Sequence, residues 1–146
     1  MPDDEESVSL VVTEPPEYTA TLSGHDVVIL PIRVQDDVGI YPDEVLTLKK
    51  QLRAQGVDAD FLHDSDHRRW LGLKGEVVAT IILGFVTSGG VAAVQSMLTQ
   101  RFAGRRLRLR AARRRNADGS VVEWFEADGS GDDVARALDK FLQNDD

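Results

Sequence analysis

Apolar positions along the chain change their spacing several times, and each change marks an element. Val27-Val28-Ile29-Leu30, with Ile32 and Val34 beyond, is a near-continuous apolar run of the kind found in a strand covered on both faces. Gln35–Gly39 reads as a loop. Val45, Leu48 and Leu52 then recur at helical spacing behind Pro42, Asp43 and Glu44, and Gly56 stands where a helix would end, which predicts a helix over 42–55. Val57, Ala59 and Phe61 alternate with Asp58 and Asp60, a second strand with one apolar face. Strand, helix and strand with short connections predict a βαβ unit with parallel pairing. Trp70–Leu73 is a short strand or the lead into a long apolar run.

That run is a charge-free stretch, VVATIILGFVTSGGVAAVQSMLTQ, from Val77 to Gln100. Its length suits either a long apolar core helix over 76–101 or a membrane span. Thr80, Gly84, Ser88, Ala92 and Ser96 fall at every fourth position, so a single helix would carry a seam of small side chains, with Gly89 beside it. Such a seam lets another backbone approach closely. The polar load within the stretch, and the acidic half that would have to be exported ahead of it, favour a packing helix over a span.

Two β-prone segments come next, Arg105–Arg114 and Ser120–Ala127, around Ala117-Asp118-Gly119. A three-residue hairpin loop ending on Gly119 would set Arg113 opposite Glu123, Arg110 opposite Glu126 and Arg108 opposite Asp128. The same register gathers Leu107, Leu109, Ala111, Val121, Phe125 and Ala127 on the other face. Finally Ser130, with Asp132 and Asp133 close behind, opens a helix over 131–143 whose Val134, Ala137, Leu138, Phe141 and Leu142 share one side. The fold expected is α+β, a mixed sheet made of the βαβ unit and an antiparallel C-terminal hairpin, packed by three helices of which the central one is long and apolar. Residues 1–24, acidic at Asp3–Glu6 and interrupted by Pro15-Pro16, read as a tail with an edge strand near Val8–Val12. Residues 25–146 read as one domain, in keeping with a chain of 146 residues.

Charge sharpens this picture. The net charge of −8 divides into −9 over residues 1–76, +8 over 77–115 and −7 over 116–146. An acidic chain is a poor non-specific nucleic-acid binder, so the arginines are expected to be neutralised within the fold or by a partner subunit. Arg108, Arg110, Arg113, Arg114 and Arg115 are the candidate partner-binding or polyanion-binding set. With no cysteine there are no disulfides and no thiolate sites, which suits a reducing compartment. The opening MPDDEES lacks the layout of a secretory signal, so the expected location is cytoplasmic.

Catalytic chemistry finds little purchase. His63 and His67 with Asp64 and Asp66 are metal-ligand types, but they come after a strand without a helix signal and read as a solvated loop. His25-Asp26 is an unremarkable dipeptide. Ser88-Gly89-Gly90 lacks the lysine and the spacing of a phosphate loop, has no predicted strand before it, and reads as a kink or a close-packing point. No catalytic residue, metal or cofactor is expected.

The segment from Val77 to Leu142 resembles the bacterial effector-associated constant component family. The resemblance rests on an apolar helix with a central Ser88-Gly89-Gly90, a second helical half ending at Arg101 and an arginine-rich strand, Arg105–Arg115. The Asn116–Gly119 turn, a second strand and the closing Val134/Leu138/Leu142 helix complete it. It covers a little under half of the chain. It implies a small non-catalytic adaptor of bacterial conflict systems, associated with protease or NTP-dependent effectors, and it transfers no catalytic residue. A protein partner or homo-oligomer is therefore the leading expectation, ahead of a polyanion-binding module and a membrane-anchored accessory protein.

Overall fold

The computed structural model describes residues 9–12, 22, 25–72, 79–86, 90–102, 104–114 and 121–143. Nine strands are described: β1 (Ser9–Val12), β2 (Val27–Leu30), β3 (Arg33–Gln35), β4 (Val38–Pro42), β5 (Ala59–Phe61), β6 (Arg68–Leu71), β7 (Ala79–Phe85), β8 (Arg106–Arg114) and β9 (Val121–Ser130). The helices are α1 (Leu48–Ala54), α2 (Val91–Arg101) and α3 (Gly131–Gln143). Six strands form a mixed sheet in the order β1-β9-β8-β7-β2-β5, and β3-β4-β6 form a smaller one. The fold is α+β.

The expected βαβ unit is present, since β2 and β5 pair in parallel with α1 between them. It carries a hairpin where the residue pattern predicts only a loop. β3 and β4 form a tight turn in which Gln35 pairs with Val38, and its two central residues, Asp36 and Asp37, both have positive φ. That is the type I′ arrangement, which Asp tolerates better than most side chains. Pro42 consequently ends β4 instead of starting a helix. A short 3-10 turn, Asp43–Val45, intervenes before α1. Gly56 closes α1 as expected: with φ +86 it donates to Arg53 O at 3.0 Å, while Val57 donates to Leu52 O at 3.1 Å. These are the two bonds of a Schellman cap.

The charge-free stretch is the main correction. It is neither one helix over 76–101 nor a membrane span, but a strand, β7, and then the helix α2. Among the described residues no helix is long and apolar enough to cross a membrane. Thr80, Ile81 and Ile82 are β-branched, which favours extended backbone. β7 lies in mid-sheet, antiparallel to β2 and parallel to β8, so both its neighbours and both its faces are occupied. A continuous apolar run has no period to separate a doubly covered strand from a buried helix. Because β7 and β8 are parallel with α2 between them, the stretch opens a second βαβ unit.

Strand alternation sorts the core into two layers. Val27, Ile29, Ile81, Leu83, Leu107, Leu109, Phe125 and Ala127 join the buried residues of α1, α2 and α3 in the larger cluster. All three helices thus cover one face. On the other face Val28, Leu30, Ile82, Ala112 and Trp124 pack with Leu22 in a smaller cluster.

The helices meet closely at one point. A Cβ on Gly131 would lie 2.2 Å from Leu98 O and 2.7 Å from Phe102 O, and the Gly131 amide donates to Phe102 O at 2.9 Å. The obstacles are backbone atoms, which cannot rotate away. Gly131→Ala is therefore expected to destabilise the protein by about 1–3 kcal/mol, the usual range for overpacking. It should appear in a urea titration as a lower midpoint at unchanged slope. Gly104→Ala, where a Cβ would meet nothing within 4 Å, should stay near the parent midpoint.

Candidate functional site

The arginine-rich strand forms the candidate surface. β8 and β9 pair in the expected register, with Arg108 opposite Asp128, Arg110 opposite Glu126 and Arg113 opposite Glu123. The register slips by one between Arg113 and Arg114, so Arg114 faces Val121. Leu107, Leu109 and Ala111 on the alternate positions are fully buried beneath the helices. That burial turns Arg106, Arg108 and Arg110 to the opposite face.

There the guanidinium groups of Arg106 and Arg108 are held by the carboxylates of β9. Arg106 Nε lies 2.8 Å from Asp128 Oδ1, Arg108 Nη2 lies 3.3 Å from Asp128 Oδ2, and Arg108 Nε lies 3.1 Å from Glu126 Oε2. Arg108 thus reaches diagonally as well as straight across. The Arg110 guanidinium carbon sits 5.8 Å from the centre of the Trp124 ring. Trp124 itself is buried in the smaller cluster, so it offers no exposed platform for stacking a base. The hydrogen bond from Arg106 holds the Asp128 carboxyl below its ordinary value, against the opposing effect of its burial, and Arg108 adds to the shift. In turn Asp128 raises Arg106. The side chains of Arg113 and Arg114 and the whole of Arg115 lie outside the described residues.

The seam does not form as a helix face. Gly84 lies on β7, where a Cβ would stand 2.7 Å from Leu22 Cδ2, whereas Ala92 and Ser96 lie on α2 with Ala92 exposed. Ser88 and Gly89 lie outside the described residues. A strand does precede Ser88-Gly89-Gly90 in the chain, contrary to expectation, because the apolar run before it is β7. Gly90 has a packing reason of its own, since a Cβ there would be 2.3 Å from Val27 Cγ2.

His63 and His67 turn to different partners. The Tyr41 hydroxyl and His63 Nδ1 are 3.2 Å apart, and the same hydroxyl accepts the His63 amide at 3.2 Å. Burial lowers His63, helped by the charge of His67, and pushes Tyr41 up to about 12. His67 Nδ1 lies 2.7 Å from Asp64 Oδ1, and that hydrogen bond raises it. Among the described residues no three His, Asp or Glu side chains converge as a metal set. His25 is likewise absorbed by structure. It lies 2.9 Å from Asp58, and Asp26 accepts the Asp58 amide at 3.3 Å, tying the starts of β2 and β5 together.

Sequence reasoning missed the concave surfaces. A groove of about 420 Å³ runs between α2 and α3, where Gln95, Asp132, Arg136 and Lys140 contribute mixed charge. Helical periodicity reveals which faces are buried, not where two helices leave a gap. Comparisons with protein-family models, with curated proteins and with solved structures found no match.

Asp128 gives a pH test of the paired face. A carboxyl whose folded value is depressed contributes stability that is complete above its unfolded value of 3.8 and is lost as pH falls through the lower folded value. Asp128→Asn should therefore cost about 0.2–1 kcal/mol at neutral pH. In acid unfolding curves the gap between variant and parent should close below pH 3.8.

Proposed function

We propose that the protein is a non-catalytic interaction component, an adaptor that engages a protein partner through the β8–β9 face. One observation carries the reading: Arg106 and Arg108 on this face are committed to Asp128 and Glu126 on the next strand. Such a face presents fixed columns of opposite charge on a rigid sheet. Charge patterns of this kind select a protein partner by complementarity more than by raw affinity. A phosphate polymer would approach Glu126 and Asp128 together with the arginines, which weighs against the polyanion reading. The resemblance of residues 77–142 to the effector-associated constant component family supports an adaptor in a bacterial conflict system, with no catalytic residue, metal or cofactor of its own. A cytoplasmic setting is part of the same proposal.

Co-expression with the products of neighbouring genes, and then detergent-free purification, tests it. The expected outcome is a defined complex that Arg108→Glu weakens by about tenfold or more, with the fold intact by circular dichroism. Retention on heparin or an oligonucleotide that falls steeply with salt, without any protein complex, would replace the adaptor with the polyanion reading.

A further inference from the structure

Arg101, the last residue of α2, is a half-buried cation without an anion. Arg53, Arg106, Arg108 and Arg136 each lie against a carboxylate. Among the described residues no carboxylate pairs with Arg101, although acids outnumber lysines and arginines by 25 to 17 in the chain. Its Nη1 donates to Thr47 Oγ1 at 3.2 Å and to Gln51 Oε1 at 3.1 Å, and its guanidinium carbon lies 5.6 Å from the centre of the Phe102 ring. These contacts tie the end of α2 to the start of α1 and hold the guanidinium in place. They leave Nε and Nη2 without an acceptor among the described residues.

The same guanidinium lines a concavity of about 200 Å³ between α1 and α2, together with Gln51, Ala54, Gln55, Met97 and Gln100. None of these residues is acidic. Met97 is buried and gives the concavity an apolar floor. Gln51 turns its carbonyl oxygen to Arg101, which leaves its NH2 to donate, whereas the Gln100 NH2 is engaged with Ser96 Oγ at 3.1 Å. The groove between α2 and α3 differs, because Asp132 and Asp139 stand there among Arg136 and Lys140 and the charges offset one another. Sites that enclose a drug-sized ligand measure about 300–1,000 Å³. The smaller α1–α2 concavity admits a fragment or the last residue of a chain.

We infer that this concavity is a carboxylate-binding site, taking the anionic end of its ligand on Arg101 and Gln51 and a short uncharged apolar stem against Met97 and Ala54. A guanidinium grips a carboxylate through two parallel N–H donors, and Nε with Nη2 forms such an edge. The partial negative charge at the end of α2 disfavours an anion by itself, and the guanidinium standing there offsets it. Half-burial strengthens the pairing, since solvent and salt screen it less than they screen an exposed pair. A free short-chain acid and the C-terminus of a peptide carry the same chemistry. The site lies on the helix-covered side of the sheet, away from the β8–β9 charges, and does not depend on the adaptor reading.

The test titrates the full chain at neutral pH with acetate, butyrate and valerate, and with tripeptides ending in valine or leucine, each with a free or an amidated C-terminus. The readout is the set of side-chain amide signals of Gln51 and Gln55 in NMR spectra. Saturable shifts of these signals are expected at millimolar ligand, with amidation weakening the peptides about tenfold or more. Saturation by the free acids as well as the peptides identifies a small-molecule site, and saturation by the peptides alone identifies a chain-end site. Arg101→Gln should abolish the response. Gln55→Glu places a carboxylate of the chain beside Arg101, so it should weaken binding about tenfold or more while leaving the urea midpoint unchanged or raised. That variant decides the matter if Arg101→Gln does not fold. Absence of saturable shifts with every ligand, equal binding of amidated peptides, or undiminished binding by Gln55→Glu would overturn the inference.

Discussion

The structure depends on burying β7 on both faces. Ile81, Leu83 and Phe85 meet the helices, while Ile82 and Gly84 meet the layer around Leu22. A strand in that position can carry no charge, because an unpaired ion there would cost far more than any neighbouring contact returns. β7 also joins the two βαβ units, pairing with β2 on one side and β8 on the other. The absence of charge over Val77–Gln100 is thus a consequence of a central strand and of the buried side of the next helix, Ala93, Val94, Met97 and Leu98.

That position explains the arrangement of charge on β8. On the face away from the helices its β7 neighbours are Thr80, Ile82 and Gly84, paired with Arg108, Arg110 and Ala112. None of them can neutralise a guanidinium. The acids therefore stand on β9, and the chain carries a basic block and then an acidic one. Each exposed cross-strand ion pair contributes only about 0.2–1 kcal/mol. Stability comes mainly from the apolar face beneath. The pairs instead determine what the surface presents to a partner.

Legibility in the sequence depended on how many independent signals agreed. The hairpin was readable because turn chemistry, charge alternation and apolar alternation all pointed to one register. The closing helix was readable for a similar reason, and Ser130 does cap it, accepting the Asp133 amide at 3.2 Å. β7 had only hydrophobicity, which is shared by buried strands and buried helices. The Asp36-Asp37 turn carried no glycine to announce its positive φ. Of the candidate site, the cross-strand register was legible. The burial of Trp124 was not, since it depends on Leu22 and Val28, more than ninety residues away in the chain, coming to the same side of the sheet.

The two faces of the sheet consequently have different tasks. The helix-covered face holds the fold, and its close contacts at Gly131 and Gly90 leave little room for anything else. The opposite face is part apolar, under Leu22, and part a charged strip along β8 and β9. Beside that strip, in the register of β1 with β9, Ser9 stands opposite Asp128 and Val11 opposite Glu126. The uncharged edge strand is thus in register with the acids that hold the arginines. The paired charges of β8 and β9 therefore set what that face presents to solvent, while the packing beneath the helices sets whether the chain folds.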